Sequence, residues 1–404
     1  MRMTTFLAAT LLAASPTLAQ GLPEDPSEPQ TEGAGAPDPL RYGDDQRFVS
    51  VEPFLQVDGG YADSRPRSVL GDEDEREWSG VVRRARIYTD FGYDDVGGRV
   101  TIDFANLASE AITYAYLNYA VSDRLTIQGG QQTLLFSLED LIGSRGSVFA
   151  EDGLNSALVP AKSVGLAALY GTDRLSLSGG VFGGSLNERA FDDGSTLTAR
   201  GTFAPYHKDG DALHLGLGLL QRRDPRLPLS FSGDAGLSLA DVSLVSTGDY
   251  EDVSRYRAAN LEVGGTFGRF FFQGELTLAE VRDRDRGSAN LQGGYLYAGL
   301  FLTDDHRGYE AETGLFEQIK PARGLDEGGP GAVQIGARLG FLDLDDALLE
   351  DEEAGSQVQA TAVANWFVTE RFRVSADYTY THVRSGELAG ADTHAGLARF
   401  WFIY

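Results

Sequence analysis

From Phe48 onward the chain alternates apolar and polar residues with a period of two. Val49, Val51, Leu55, Val57 and Tyr61 alternate with Ser50, Glu52, Gln56 and Asp58. Such alternation places each set on one face of a strand. The texture recurs in Val100, Ile102 and Phe104 against Arg99, Thr101 and Asp103, and in Leu213, Leu215, Leu217 and Leu219 against His214, Gly216, Gly218 and Leu220. It returns in Phe372, Val374, Ala376, Tyr378 and Tyr380 against Arg371, Arg373, Ser375, Asp377 and Thr379. The segments run about ten residues, the length of a tilted strand crossing a bilayer. Strands of water-soluble sandwiches are shorter, with a mode of about five or six. The pattern predicts an all-β chain, a transmembrane antiparallel β-barrel, closed because lipid offers the backbone no hydrogen-bond partners.

Sixteen strands are predicted, starting near residues 48, 81, 97, 111, 124, 162, 173, 195, 211, 256, 269, 289, 331, 355, 370 and 391. An even count is what a bacterial single-chain barrel requires. Turns such as Ser122-Asp123 and Thr172-Asp173 alternate with longer links at 62–80, 133–161, 183–194, 223–255, 303–330 and 383–390, all expected on one side of the barrel. The stretch 227–245 has room for one further strand. The last strand ends on Tyr404, preceded at alternate positions by Phe402, Phe400, Ala398 and Gly396. This aromatic ending resembles the signal read by the barrel-assembly machinery; an ordinary amphipathic strand is the plainer alternative.

Ahead of the barrel, Arg2, the apolar run Thr5 to Ala14 and the small-residue end Thr17-Leu18-Ala19 have the form of a cleaved signal peptide, 1–19, with Gln20 as the first mature residue. Residues 20–46, rich in Pro, Glu, Asp and Gly, cannot bury enough apolar surface to offset ordering and are expected to be a flexible tail. The barrel then occupies 47–404. Location in a Gram-negative outer membrane follows as an expectation.

Composition sharpens this picture. With no cysteine, an exported chain has no disulfide framework. The 50 Gly, 17 Tyr and 22 Phe against 2 Met suit strands and turns. A net charge of -26 excludes a nucleic-acid partner, since no basic footprint exists. The acidic clusters Asp72-Glu73-Asp74-Glu75, Asp304-Asp305 and Asp343 to Glu353 read as solvated loop tips. Binding of divalent cations that bridge lipopolysaccharide is a lesser alternative for them.

Several segments together resemble the phosphate-selective porin O and P family. They are Arg83-Arg84-Ala85-Arg86-Ile87, Leu125 to Gln131 with Phe136-Ser137-Leu138-Glu139, and Pro160-Ala161-Lys162-Ser163-Val164-Gly165. Gly293-Gly294-Tyr295-Leu296-Tyr297, Gly329 to Val333 running to Ala337-Arg338, and Asn365-Trp366-Phe367 before Arg371-Phe372-Arg373 complete the series. The resemblance covers roughly 80–404. It implies a sixteen-stranded homotrimeric porin whose third external loop folds inward as a constriction.

Charged inward side chains set selectivity in such a pore. If Ala85, Ile87 and Phe91 face lipid, then Arg84, Arg86, Tyr88 and Asp90 face the lumen, and Arg99, Arg200, Arg338, Arg373 and Arg399 follow by the same parity. Two readings stand for these arginines: an anion-guiding track, since a guanidinium fork suits phosphate, or a network paired with Asp103 and Asp377. Outward charge would cost about 2–4 kcal/mol at the midplane. The family's lysine-rich phosphate funnel has no counterpart, because Lys162, Lys208 and Lys320 are the only lysines. In the constriction loop, Arg145 and Lys162 face Glu151 and Asp152, nearly in balance.

The expected function is passive diffusion of small hydrophilic solutes and ions, with anions such as phosphate an open alternative, and with no cofactor, metal or catalytic residue. Outer-membrane lipid and lipopolysaccharide are the expected surroundings. One rival is a plugged structural or adhesive barrel. The other is a barrel lipid hydrolase, for which His382, Ser385 and Asp377 are the nearest approach to a triad.

Overall fold

The computed structural model describes residues 40–404 apart from 67–68, 70–78, 161, 188–193, 224, 226–227, 238, 240–241 and 348–353. The stretches expected to be a signal peptide and most of the acidic tail, and the cluster Asp72-Glu73-Asp74-Glu75, lie outside the described residues. Sixteen antiparallel strands form one closed sheet. They are β1 Arg47–Arg65, β2 Ser79–Tyr93, β3 Val96–Asp103, β4 Ile112–Ser122, β5 Leu125–Gln132, β6 Ser163–Gly171, β7 Leu175–Phe182 and β8 Ser195–Lys208. The circuit continues with β9 Asp211–Arg223, β10 Val253–Phe267, β11 Phe270–Asp283, β12 Gly287–Phe301, β13 Ala332–Asp343, β14 Ser356–Thr369, β15 Phe372–Ser385 and β16 Asp392–Ile403. All sixteen expected strands are present. The largest displacement is at β10, expected from 256 and found from Val253.

Closure comes from β16 pairing with β1, in register from Phe54 opposite Ile403 to Arg65 opposite Asp392. A closed sheet leaves no edge of unpaired amides, which hydrocarbon could not solvate. The burial pattern follows the alternation. Leu215, Leu217 and Leu219 of β9 are exposed, whereas His214 and Leu220 are buried. Buried polar residues such as Gln56, Asp58, Thr101, Asn260, Thr277 and Thr361 mark the inward face, and Leu261, Leu278, Leu296, Leu339 and Trp366 the outward one. The apolar side of this protein therefore faces outward.

Strand parity assigns every connection to an end of the barrel. Segments 66–78, 104–111, 133–162, 183–194, 224–252, 284–286, 344–355 and 386–391 lie at one end; the turns 94–95, 123–124, 172–174, 209–210, 268–269 and 370–371 lie at the other. Segment 302–331 is a correction to the expected arrangement. It joins β12 to β13 and so belongs to the short-turn end. A long link looks the same in sequence at either end; only the number of strands before it decides. The stretch 227–245 adds no barrel strand. Ser232–Asp234 and Ser243–Ser246 pair with each other off the main sheet. Arg41–Gly43, within the stretch read as a tail, pair with the start of β1.

Candidate functional site

Segment 133–162 carries helix α1, Leu138–Gly146, and a short 3-10 turn at Leu154–Leu158. Ser137 caps α1 by accepting from the Asp140 amide. The helix start is held by Glu275 on the inward face of β11, which accepts from Ser137 Oγ at 3.1 Å, the Leu138 amide at 2.8 Å and the Glu139 amide at 2.9 Å. A carboxylate suits this place because unsatisfied amides and the positive dipole end meet there. At the other end, Arg145 pairs with Glu52 of β1 and lies over the rings of Tyr88 and Phe54.

Further inward side chains fix the residues after the helix. Arg373 donates to the carbonyls of Ser147 (2.8 Å) and Val148 (3.0 Å), and Asn365 donates to Val148 at 2.9 Å. Asp377 accepts from the Ala150 amide at 2.9 Å, and Arg399 donates to the Ala150 carbonyl. On the β9 side a Cβ at Gly218 would collide with the Phe136 carbonyl, so only glycine admits this approach.

Beside this segment is a polar cavity of about 750 Å3. Arg83, Arg84, Arg86 and Arg399 line one wall, with Glu139, Asp140, Glu151, Asp152 and Lys162 on or at the end of segment 133–162. Arg86 pairs with Asp103 at 2.9 Å, and Arg399 pairs with Asp58 at 2.7 Å and Glu151 at 3.8 Å. Arg83 reaches Glu151 at 3.6 Å. Arg84 donates to Gln56 at 2.6 Å and, among the described residues, is in no ion pair. Its charged neighbours are Arg86, Arg399 and Arg83, with Asp152 as the opposing charge.

The other arginines singled out in the sequence lie elsewhere. Arg99 pairs with Asp90 at 2.5 Å. Arg338 meets Glu139 at 3.5 Å over the Phe149 ring. Arg200 forms a fork with Glu262 at 2.8–2.9 Å and donates to the carbonyls of Thr313 and Gly314. Arg84 and Arg86 thus line the cavity, while Arg99, Arg200, Arg338 and Arg373 do not. Phe400 faces outward against Phe372, and Tyr404 lies under Arg371. His382, Ser385 and Asp377 do not assemble: His382 bonds Asp392, Ser385 bonds Asp345, and Asp377 holds Ala150.

The sequence reading passed over Glu262, Glu275 and Arg307. Parity marks Glu262 and Glu275 as inward, but nothing local says which loop reaches them. Arg307, in segment 302–331, is buried and bonds Gln273, Tyr297 and the Gly146 carbonyl at the end of α1. Leu138 and Ile142 of α1 pack with Tyr309, Leu315 and Phe316, so segments that leave the sheet at opposite ends pack against each other.

Burial, with Asp152 and Glu275 nearby, pushes the Asp140 carboxyl up to about 8 against the opposing Lys162. The group is uncharged below that pH and ionised above it. Raising the pH from 7 to 9 therefore adds negative charge to the cavity. The expected result is a shift of reversal potential toward cation preference over that interval, flattened in Asp140→Asn. An equal shift in the variant would exclude Asp140 as its source.

Comparison with known proteins follows the same architecture. The model of the family described as phosphate-selective porin O and P matches residues 56–404. Porin O of Pseudomonas aeruginosa is 26% identical over 239 residues, covering 51% of this chain and 52% of that protein. The match thus spans about half the length of that relative. An uncharacterised protein of Caulobacter vibrioides is 25% identical over 387 residues, covering 87% of this chain and 73% of its own. An anion-selective porin from Comamonas acidovorans shares the fold with a TM-score of 0.56 at 9% identity, over 89% of this chain and 100% of that one. The trimer form of OmpT from Vibrio cholerae gives a TM-score of 0.56 at 12% identity, over 88% and 100%.

Proposed function

This chain belongs to the phosphate-selective porin O and P family and is an outer-membrane porin, and we propose that it passes small hydrophilic solutes, anions such as phosphate among them, through a lumen that segment 133–162 constricts. The observation that carries this reading is Arg84. A permanently charged guanidinium in a polar cavity, flanked by three others and free of an ion pair among the described residues, attracts a mobile anion. Its planar fork matches phosphate oxygens. The acidic wall opposite keeps the track short, since Glu151 engages both Arg83 and Arg399.

The export signal at 1–19, the tail, recognition of Phe400, Phe402 and Tyr404 by the assembly machinery, and a homotrimer belong to the same proposal. The test is reversal potential across a salt gradient with the refolded chain in a planar bilayer. Anion preference and phosphate block of current are expected, both weakened in Arg84→Ala. Cation preference without phosphate block would overturn the arginine track. A plugged barrel is the second reading, favoured by segments 224–252 and 302–331, which also bond inward-facing residues; absence of current would select it.

A further inference from the structure

We propose that the outward wall of β9–β11, at the end carrying most of the longer connections, binds a phosphorylated glycolipid of the outer leaflet: the arginines there hold its phosphate and a groove beneath takes an acyl chain. Arg223 is the register partner of Arg255, and Arg255 of Arg282, so three guanidinium-bearing residues lie side by side across three strands. Arg257 sits on the same face one pair further from that end, opposite Gln221 and Glu280. Directly opposed like charges destabilise a sheet. Within this row Glu280 meets Arg255 at 3.4 Å and Gln221 meets Arg257 at 3.0 Å. Among the described residues Arg223 and Arg282 are in no ion pair, and both are exposed. Two exposed guanidinium groups without an ion pair in one row attract an anion.

The surface below supplies the second half of the site. Leu197, Leu219 and Leu278 border a groove whose floor is lowered by Ala199 and Ala259. Arg257, Glu280 and Asn290 close it toward the arginine row. An apolar slot ending under a cationic row fits a lipid with an acyl chain and a phosphate, whereas free phosphate would use the arginine row alone. The outer-membrane setting places this end of the barrel, with its longer loops, in the outer leaflet. The assignment is independent of conduction, because none of these arginines enters the lumen.

The probe is bisphosphorylated lipid A added to the refolded chain in zwitterionic detergent, with adducts counted by native mass spectrometry and affinity read by titration. With each arginine near a lipid surface worth about 1 kcal/mol, the variant Arg223→Gln, Arg255→Gln, Arg257→Gln, Arg282→Gln is expected to bind about tenfold or more weakly. Ala259→Leu, which fills the groove, is expected to weaken binding while leaving the charge intact. Arg124→Gln with Arg174→Gln, in turns at the other end, should bind as the parent does. Unchanged single-channel conductance in the quadruple variant would show that it is folded, and Ala259→Leu remains informative if it is not. Equal binding by both site variants, equal binding of dephosphorylated lipid A, displacement by inorganic phosphate at similar concentration, or cross-linking of two copies through this wall would each overturn the proposal.

Discussion

Glu275→Ala is expected to raise single-channel conductance and current noise while the barrel still folds. Glu275 is buried on the inward face of β11 and receives five donors: Ser137 Oγ, the amides of Leu138 and Glu139, Asn260 Nδ2 at 2.6 Å and the Tyr295 hydroxyl at 2.8 Å. Bonds to a charged acceptor are worth about 1.5–3 kcal/mol each, and a buried donor without a partner costs about 1–3 kcal/mol. Removing the carboxylate strands the first amides of α1, which can regain partners only by lifting toward water. The start of α1 then loses its hold on β11, while segment 133–162 keeps its links to β1 through Arg145, to β13 through Arg338, and to β15 and β16 through Arg373, Asp377 and Arg399. Glu275→Gln retains an acceptor of the same shape and is expected to fall between parent and alanine variant. Parental conductance in Glu275→Ala would mean that the remaining links to the other strands hold the segment without Glu275.

Arg200→Leu is expected to produce the largest loss of stability. Arg200 and Glu262 are both buried, and Glu262 also bonds His214 at 3.0 Å, which in turn meets the Tyr309 hydroxyl at 2.9 Å. Breaking a buried pair from one side leaves an uncompensated charge, at a cost of about 3–5 kcal/mol. The same substitution removes the donors to Thr313 and Gly314, so segment 302–331 loses its anchor on β8. The measurement is the urea midpoint of unfolding in detergent, with heat-modifiable mobility as a second readout. The double variant Arg200→Leu, Glu262→Leu should recover much of the loss, because paired apolar replacement removes the stranded charge. If the single and double variants unfold alike, the loss comes from repacking around segment 302–331 and not from the charge.

The barrel itself was legible in sequence because each strand states its own pairing rule. Period-two alternation needs no distant information: Leu215, Leu217 and Leu219 declare the lipid face of β9 wherever β9 sits. A one-residue slip would turn that face inward, so register is strongly specified. Inward parity was equally local for Arg84, Arg86, Arg99, Arg200, Arg338, Arg373 and Arg399. Partners were less accessible. Asp103 lies on a neighbouring strand from Arg86 and could be guessed, whereas Arg338 meeting Glu139 joins positions on a strand and a distant loop.

The sequence by itself determined the strands, their two faces, the count that closes the sheet and the family to which the segments around Arg83, Gln131 and Gly165 point. Each of these follows from local periodicity, from parity or from short motifs. Tertiary structure decided which inward arginines line open space and which are consumed as tethers, because that depends on where segments 133–162 and 302–331 lie. It also decided that 302–331 enters from the short-turn end and brings Arg307 to the close of α1, and that Arg223, Arg255 and Arg282 share one row. Loops carry no repeat that constrains their path, and strand register outside the hairpins is set by closure of the whole barrel, so both became visible only once all sixteen strands were paired.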